Sequence, residues 1–511
     1  MNHWMIFPIL LPAVVAPLLV IAVRTDIVLA RIFSIGCSIA LLLVGGYQFG
    51  LACDGEIRTY ALGNWSPPFG IVLVLDRLSA TMLLLTAVIG LVILLYSING
   101  WDNRGHHFHP LFQFQLMGLN GAFLTGDLFN LFVFFEVLLI ASYGLMVHGG
   151  GGAVRIRAGI QYVVMNLTGS SLFLIALALI YSVTGTLNMA DVSRKFLETP
   201  PASQAILNVG GVLLFVVFAL KAALFPLHLL LPGTYANAPG PVAALFSIMT
   251  KVGVYSILRF FMLMSAELQW MMPAALATLI VGSIGILASR SLGQQASFAT
   301  IASVGTLFVA ISGSSPLALS AGLYYMIHST LCVAGIFLVV DLILANRPGF
   351  GDALVESPKY AHQGIIAFFY LTLAVATSGV PPLSGFIGKI LVLRSSQDSS
   401  NWQWIWLIIL VSSFIGLVGM ARSGSLLFWK CSATKVELGT KETNISGSHS
   451  GSVKSPMASG IVLPSVACGT ILVLILMLSV FAGPVSQYMD DTSEQLYDSN
   501  QYVDSVLGEG K

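Results

Sequence analysis

The sequence has little charge: Asp, Glu, Lys and Arg make up 9% of its 511 residues, where a soluble chain carries roughly a quarter. That scarcity excludes an ordinary soluble domain. Cysteine is sparse as well. Cys37, Cys53, Cys332, Cys431 and Cys468 show no CxxC or paired spacing, which argues against iron–sulfur clusters, a zinc site or a disulfide framework. No dinucleotide fingerprint or haem-ligand pattern is present either, so neither a cofactor nor a metal is expected. The formal net charge is +1, nearly all of it in short loops, and no nucleic-acid partner is expected. The opening stretch MNHWMIFPILLPAVVAPLLVIAV lacks the basic n-region of a secretory signal and is too long for one. It reads as an uncleaved first helix.

What the chain does have is apolar length. Hydrophobic residues make up 56%, the mean hydropathy is +0.89, and apolar runs of ~20 residues recur, as in membrane-spanning helices. The fold class is an all-α polytopic membrane protein. About fourteen spans are expected, near residues 4–23, 29–50, 70–98, 108–125, 128–148, 158–183, 204–231, 239–262, 270–289, 296–313, 317–345, 363–394, 402–428 and 460–482. With both termini outside, the inward loops hold Arg24, Arg31, Arg104, Arg155, Arg157, Arg290, Arg347, Lys359, Lys430, Lys435, Lys441 and Lys454. Outside lie Arg58, Arg194, Lys195, Arg394 and Lys511. Twelve basic residues against five favour this orientation under the positive-inside rule. Residues 51–69 read as a small external β-turn region. Residues 429–459 read as a solvated cytoplasmic linker, whose NIS at Asn444 carries no weight as a glycosylation site. The acidic tail after Gly483 falls outside.

Within LFNLFVFFEVLLIASYGLMV, Glu136 lies near the middle of a span, where a charged side chain costs at least ~3 kcal/mol. Lys221, Lys251 and Lys389 are similarly deep. A structural ion pair explains one acid with one lysine, but one acid cannot pair with three. Buried ionisable sets of this kind belong to ion or proton pathways. Arg77, Arg259 and Arg422 lie near helix ends, where long side chains snorkel; Arg77 also follows Asp76, which allows a local pair. His228 falls seven residues after Lys221, on about the same helical face, and His328 follows Tyr324 by one turn. Each reads either as a core histidine or as a relay. His106, His107 and His109 read as solvated loop residues, and Asp127 as a helix cap.

Two spans are interrupted. Pro226 and Pro232 break the segment with Lys221; Pro381 and Pro382, flanked by Gly379 and Gly385, break the one with Lys389. Freed backbone groups at membrane depth are tolerated only where they face protein or water. Breaks five helices apart point to two five-helix repeats of opposite orientation.

This pattern resembles the antiporter-like subunits of respiratory complex I and the large subunits of Mrp-type cation/proton antiporters. The wording HFHPLFQFQLMGLNGAFLTGDLFNLFVFFEVLLIASYGL, with ALFSIMTKVGVYSILRF and NWSPPFGIVLVLDRLSA, is similar to the MrpD/PhaD-type subunits over most of residues 1–430. The resemblance implies Glu136, Lys221, Lys251 and Lys389 as proton-path residues, with His228 and His328 as relays. It divides the chain into residues 1–107, 108–262, 263–428, 429–459 and 460–511: the N-terminal spans, two five-helix repeats, the linker, and the last span with its tail. It implies a non-enzymatic subunit of a Na⁺/H⁺ or K⁺/H⁺ antiporter in a bacterial inner membrane, working with lipid and partner subunits. Many relatives carry a lysine about a turn after the His328 position; HSTLCVAG here supplies Ser329, Thr330 and Cys332 instead. A proton-pumping subunit of an NADH:quinone oxidoreductase or membrane hydrogenase, and a non-transporting assembly subunit, are the alternatives.

Overall fold

The computed structural model describes residues 3–23, 26–150, 152–430 and 460–508. Arg24, Cys431, Lys435, Lys441, Asn444, Lys454 and Lys511 lie outside the described residues, as does nearly all of the expected linker.

The chain opens with α1 (Phe7–Ile21), α2 (Ile27–Ala52) and α3 (Arg77–Ser97). A first set follows: α4 (Phe108–Leu124), α5 (Leu128–Met146), α6 (Gly152–Thr184), the short α7 (Met189–Glu198), α8 (Pro201–Ala222), α9 (Leu230–Tyr235) and α10 (Gly240–Leu263). The second set is α11 (Met272–Ala288), α12 (Leu292–Ile311), α13 (Pro316–Asn346), α14 (Gln363–Ser378), α15 (Ser384–Ser395) and α16 (Trp402–Gly424). The chain closes with α17 (Val462–Val480), α18 (Ala482–Tyr497) and α19 (Ser499–Leu507). Among the described residues, twelve helical segments are long and apolar enough to cross a membrane. Two of the fourteen expected spans fall short. Helix α4 has 17 residues and carries the buried polar groups His109, Gln113, Gln115 and Asn120. The other, residues 363–394, is split into α14 and α15.

Residues 70–76 were expected to begin a helix. Instead β1 (Arg58–Ala61) and β2 (Val72–Leu75) form an antiparallel hairpin, and α3 starts after it. Asp76 caps that start in a reciprocal bond pair with Ser79. The acidic tail forms the helices α18 and α19. They lie over the hairpin face of the bundle: Ser493 Oγ donates to Pro316 O at 2.7 Å, Arg77 pairs with Asp491 at 2.6 Å, and Tyr502 is buried.

Contacts at the two ends fix the helix directions. Helix α10 starts with Gly240 against Asp341 and ends where Arg259 meets Asp76 beside the hairpin, at 2.6 Å and 2.8 Å. Helix α16 runs the other way: its Ile405 shares a cavity with Ser315 near the hairpin face, and its Arg422 bonds Leu287 O at the far end. Helix α10 is enclosed on all sides and α13 nearly so, which makes them the central pair.

Arg259 therefore does not snorkel. It is 3% exposed and makes a bidentate pair with Asp76, the residue expected to pair with Arg77. At the opposite face, Asp102 bonds Arg31 at 2.6 Å and His109 at 3.3 Å. Burial alone would raise the Asp102 carboxyl, but these two partners hold it below its ordinary value. His109 is thus a buried residue, not a solvated one, while His106 and His107 are exposed. Asp127 caps α5 as expected, accepting from Asn130 N at 2.8 Å.

Candidate functional site

Each expected lysine sits where local sequence disturbs or encloses a helix. Helix α8 stops at Ala222 because Ala223 takes a left-handed φ of 62° and Pro226 follows. The freed Phe225 N–H is satisfied by Thr278 Oγ1 at 2.9 Å. Lys221, next to last in α8, donates to Asn166 Oδ1 of α6 at 2.7 Å. Its ammonium lies 5.9 Å from the centre of the Phe135 ring. Glu136, beside that phenylalanine, accepts a short bond from Ser170 Oγ and acts electrostatically on Lys221, although no ion pair joins the two among the described residues. A cavity of about 30 Å³ is lined by Lys221, Asn166, Tyr162, Tyr235 and Met249. That is space for a water molecule or two.

The second break follows the same logic with different parts. Helix α14 ends at Gly379, whose φ of 76° is a backbone setting that glycine takes without penalty. Pro381 and Pro382 follow, and α15 restarts at Ser384. Lys389 reaches back over this gap. Its Nζ donates to Ser378 O at 2.9 Å, Thr377 O at 3.4 Å and Ser413 Oγ of α16 at 2.9 Å. The two carbonyls are the unsatisfied C-terminal groups of α14, where a helix attracts cations. Another cavity of about 30 Å³ opens here, lined by Lys389, Ser283, Ser303, Thr306 and Ser412 among others.

Between the breaks stand α10 and α13. Lys251 is fully buried, and its ammonium has no hydrogen-bond partner among the described residues. Its helix approaches α8 closely because residue 253 is glycine: a Cβ there would come within 2.6 Å of Phe218 O and Ala222 N. His328 is bonded through Nδ1 to Ser384 Oγ at 2.8 Å, and Cys332 Sγ lies 3.5 Å from its Nε2. His328 feels the charges of both Lys251 and Lys389, and Cys332 interacts with both as well. The expected residues thus fall into two groups, Glu136 with Lys221 and His328 with Lys251 and Lys389, carried by helices that pack together where Gly253 of α10 meets α8.

His228 stands apart. The break separates it from α8, so the shared helical face with Lys221 does not exist. It is buried against Phe225 with Nδ1 unpartnered. Pro232 does not break anything either; it lies in the first turn of α9, where its missing N–H costs nothing. Sequence reasoning missed Asn166 and Ser170, although Tyr162, Asn166 and Ser170 recur at four-residue spacing along one face of an apolar helix. It also missed Ser384, Ser413 and the buried acid Asp341.

A larger polar cavity of about 390 Å³, lined by Ser312, Ser315, Ser395, Ser396, Asp398 and Asn401, lies beyond the C-terminal end of α15 on the hairpin face. Helices α12, α15 and α16 line both it and the Lys389 cavity. Between the two sit the buried Val309, Val392 and Ile409.

A family model described as NADH:quinone oxidoreductase/Mrp antiporter, TM, matches residues 125–416. The chain belongs to this family. The matched region contains Glu136 and all three lysines. Over almost its whole length the chain is 34% identical to a probable K(+)/H(+) antiporter subunit of Rhizobium meliloti, covering 99% of this chain and 98% of that one. It is also 34% identical to a Na(+)/H(+) antiporter subunit of Bacillus subtilis, with full coverage of both. Within the antiporter family the fold is shared with a chain of the Mrp complex from Dietzia, at a TM-score of 0.87, 25% identity and coverage of 99% and 100%. It is shared too with a chain of respiratory complex I from Thermus thermophilus, at a TM-score of 0.75, 22% identity and coverage of 97% and 99%. This is a multi-pass membrane protein of the antiporter-subunit type, not an enzyme in itself.

Proposed function

We propose that this chain is the proton-translocating, MrpD-type subunit of a multisubunit Na⁺/H⁺ or K⁺/H⁺ antiporter in a bacterial inner membrane. The observation that supports the reading is the set of buried and half-buried ionisable groups on the central helices, with a water-sized cavity at Lys221 and another at Lys389. The chain crosses the membrane fourteen times in this reading. Helices α4, α5, α6, the broken pair α8–α9 and α10, and helices α11, α12, α13, the broken pair α14–α15 and α16, are two inverted five-helix repeats, with the hairpin face and both termini periplasmic.

The working step belongs to the chain's own residues. When Glu136 swings toward Lys221 it holds the ammonium charged. When it turns back to Ser170, the proton leaves Lys221 for Lys251 on the adjoining helix α10. From there it passes by way of His328 to Lys389, and the carbonyls at the end of α14 hold the arriving charge. Moving a carboxylate from 4 to 8 Å from an ammonium changes their attraction by about 2 kcal/mol at an effective dielectric of 20. One charge crossing a potential of 100 mV gains ~2.3 kcal/mol, so the two are matched in scale. The wide polar cavity beyond Val392 is the access from the periplasm to Lys389, and the valine and isoleucine layer excludes water until that path opens.

The test uses everted vesicles from an antiporter-deficient host expressing the whole gene cluster. Vesicles are energised, given Na⁺ or K⁺, and followed with a ΔpH-reporting dye. Cation-dependent collapse of ΔpH with the native chain, absent from assembled Glu136→Ala, is expected and names the ion. No cation response from the native cluster refutes the antiporter reading and favours a redox-driven pump.

A further inference from the structure

Of the four buried aspartates among the described residues, Asp76, Asp102, Asp191 and Asp341, one has no ion pair. Asp341, near the C-terminal end of α13, is 5% exposed. Unlike the buried acids Asp76, Asp102 and Asp191, it makes no ion pair among the described residues. One of its oxygens, Oδ2, accepts both of its side-chain bonds: from Tyr96 OH at 2.8 Å and from Trp101 Nε1 at 2.8 Å. Both donors are neutral. The other oxygen faces Gly240, the first residue of α10, so closely that a Cβ there would come within 2.7 Å of it. A buried carboxyl with two neutral donors on one oxygen and no ion pair leaves its second oxygen able to carry a proton.

Its position lies between the helices of Lys251 and His328 and a polar cavity. Asp341 joins α10 and α13, the two helices that carry Lys251 and His328. Lys251 lies eleven residues along α10, about 16 Å, and Cys332 nine residues back along α13, about 14 Å. On the other side, Arg104 stacks on Trp101 at 3.5 Å and lines a polar cavity of about 330 Å³ with Asp26, Asp102, His106 and His109. The titratable and charged groups that act on Asp341 are Tyr96 from α3, Arg104 from the following loop, Arg155 from α6 and Cys468 from α17.

We propose that Asp341 is a proton-binding site that connects the Lys251–His328 junction to the polar cavity around Arg104 and His109, on the face opposite the hairpin. The assignment rests on the antiporter reading for its direction of use, but proton binding at Asp341 is testable without it. Asparagine keeps the size of the side chain and an acceptor for Tyr96 and Trp101, so Asp341→Asn is expected to assemble. Infrared difference spectra of the purified complex between two pH values should show a protonated-carboxyl C=O band that Asp341→Asn removes. A native spectrum with no band missing from the variant overturns the proposal, whatever the vesicles do. In vesicles, assembled Asp341→Asn should lose exchange by at least about tenfold, and Asp341→Glu should recover most of it with a displaced pH profile. Full exchange in Asp341→Asn would also overturn the proposal, leaving Asp341 as a joint between helices. Failure of the native cluster to exchange any cation, with the infrared band present, would refute the antiporter reading alone.

Discussion

Lys221 and Lys389 occupy matching breaks, yet the two halves hold them differently. Lys221 precedes its break and is gripped by a side-chain amide from another helix, with Glu136 within electrostatic reach. Lys389 follows its break and reaches back to main-chain carbonyls, with a hydroxyl as its third partner. None of these three partners is an acid. A carboxylate on a side chain can rotate away; helix-end carbonyls cannot. In the proposed mechanism the first lysine is therefore the one whose charge is switched, and the second is a fixed receiving site. The last helices of the two sets differ in the same sense. Arg259 at the end of α10 is locked to Asp76, whereas Arg422 near the end of α16 is exposed and touches one carbonyl.

The comparison can be broken most directly at Lys221. Lys221→Ala should reduce exchange by about a thousandfold, within the range for loss of a proton-transfer group, as read by the dye assay. Adding Glu136→Gln should cost little more, because both act on one event. Glu136→Gln with Ser413→Ala should instead be additive, as expected for separate sites. Additivity within the first half would mean that Glu136 does not act through Lys221.

The next largest effect concerns stability. Arg259→Met leaves Asp76 buried and unpaired and should cost about 3–5 kcal/mol, seen as a lower melting temperature of the detergent-purified complex. Arg422→Met should stay within about 0.5 kcal/mol. Equal losses would show that the two helix ends are held alike.

A smaller effect is expected at Gly379. Alanine there meets a left-handed backbone strain of roughly 1–2 kcal/mol and crowds the Lys389 side chain. Exchange should fall by about tenfold with the complex assembled. Smallest is Ser413→Ala, which removes one hydrogen bond worth about 1 kcal/mol and should slow exchange by about fivefold, leaving the carbonyl grip in place. If Ser413→Ala is as severe as Lys221→Ala, the fixed-receiver picture of the second half is wrong.

Much of this protein was legible one residue at a time. The cost of burying charge made Glu136, Lys221, Lys251 and Lys389 conspicuous in apolar runs, proline marked the first break, and proline with glycine marked the second. His228 was misplaced because a seven-residue spacing means a shared face only while the helix continues, and the left-handed Ala223 ends it. His109 and Arg259 were misjudged because their partners, Asp102 and Asp76, sit in loops whose reach depends on packing.

The sequence by itself determined the class, the presence of Glu136 and the three lysines within apolar helices, and the two helix breaks, since these follow from hydropathy and local backbone sterics. Only the tertiary structure decided which groups meet. Lys221 finds Asn166 from 55 residues away, and Tyr96 finds Asp341 from 245 away. Pairings at such separations are set by how helices cross, and no local rule encodes a crossing.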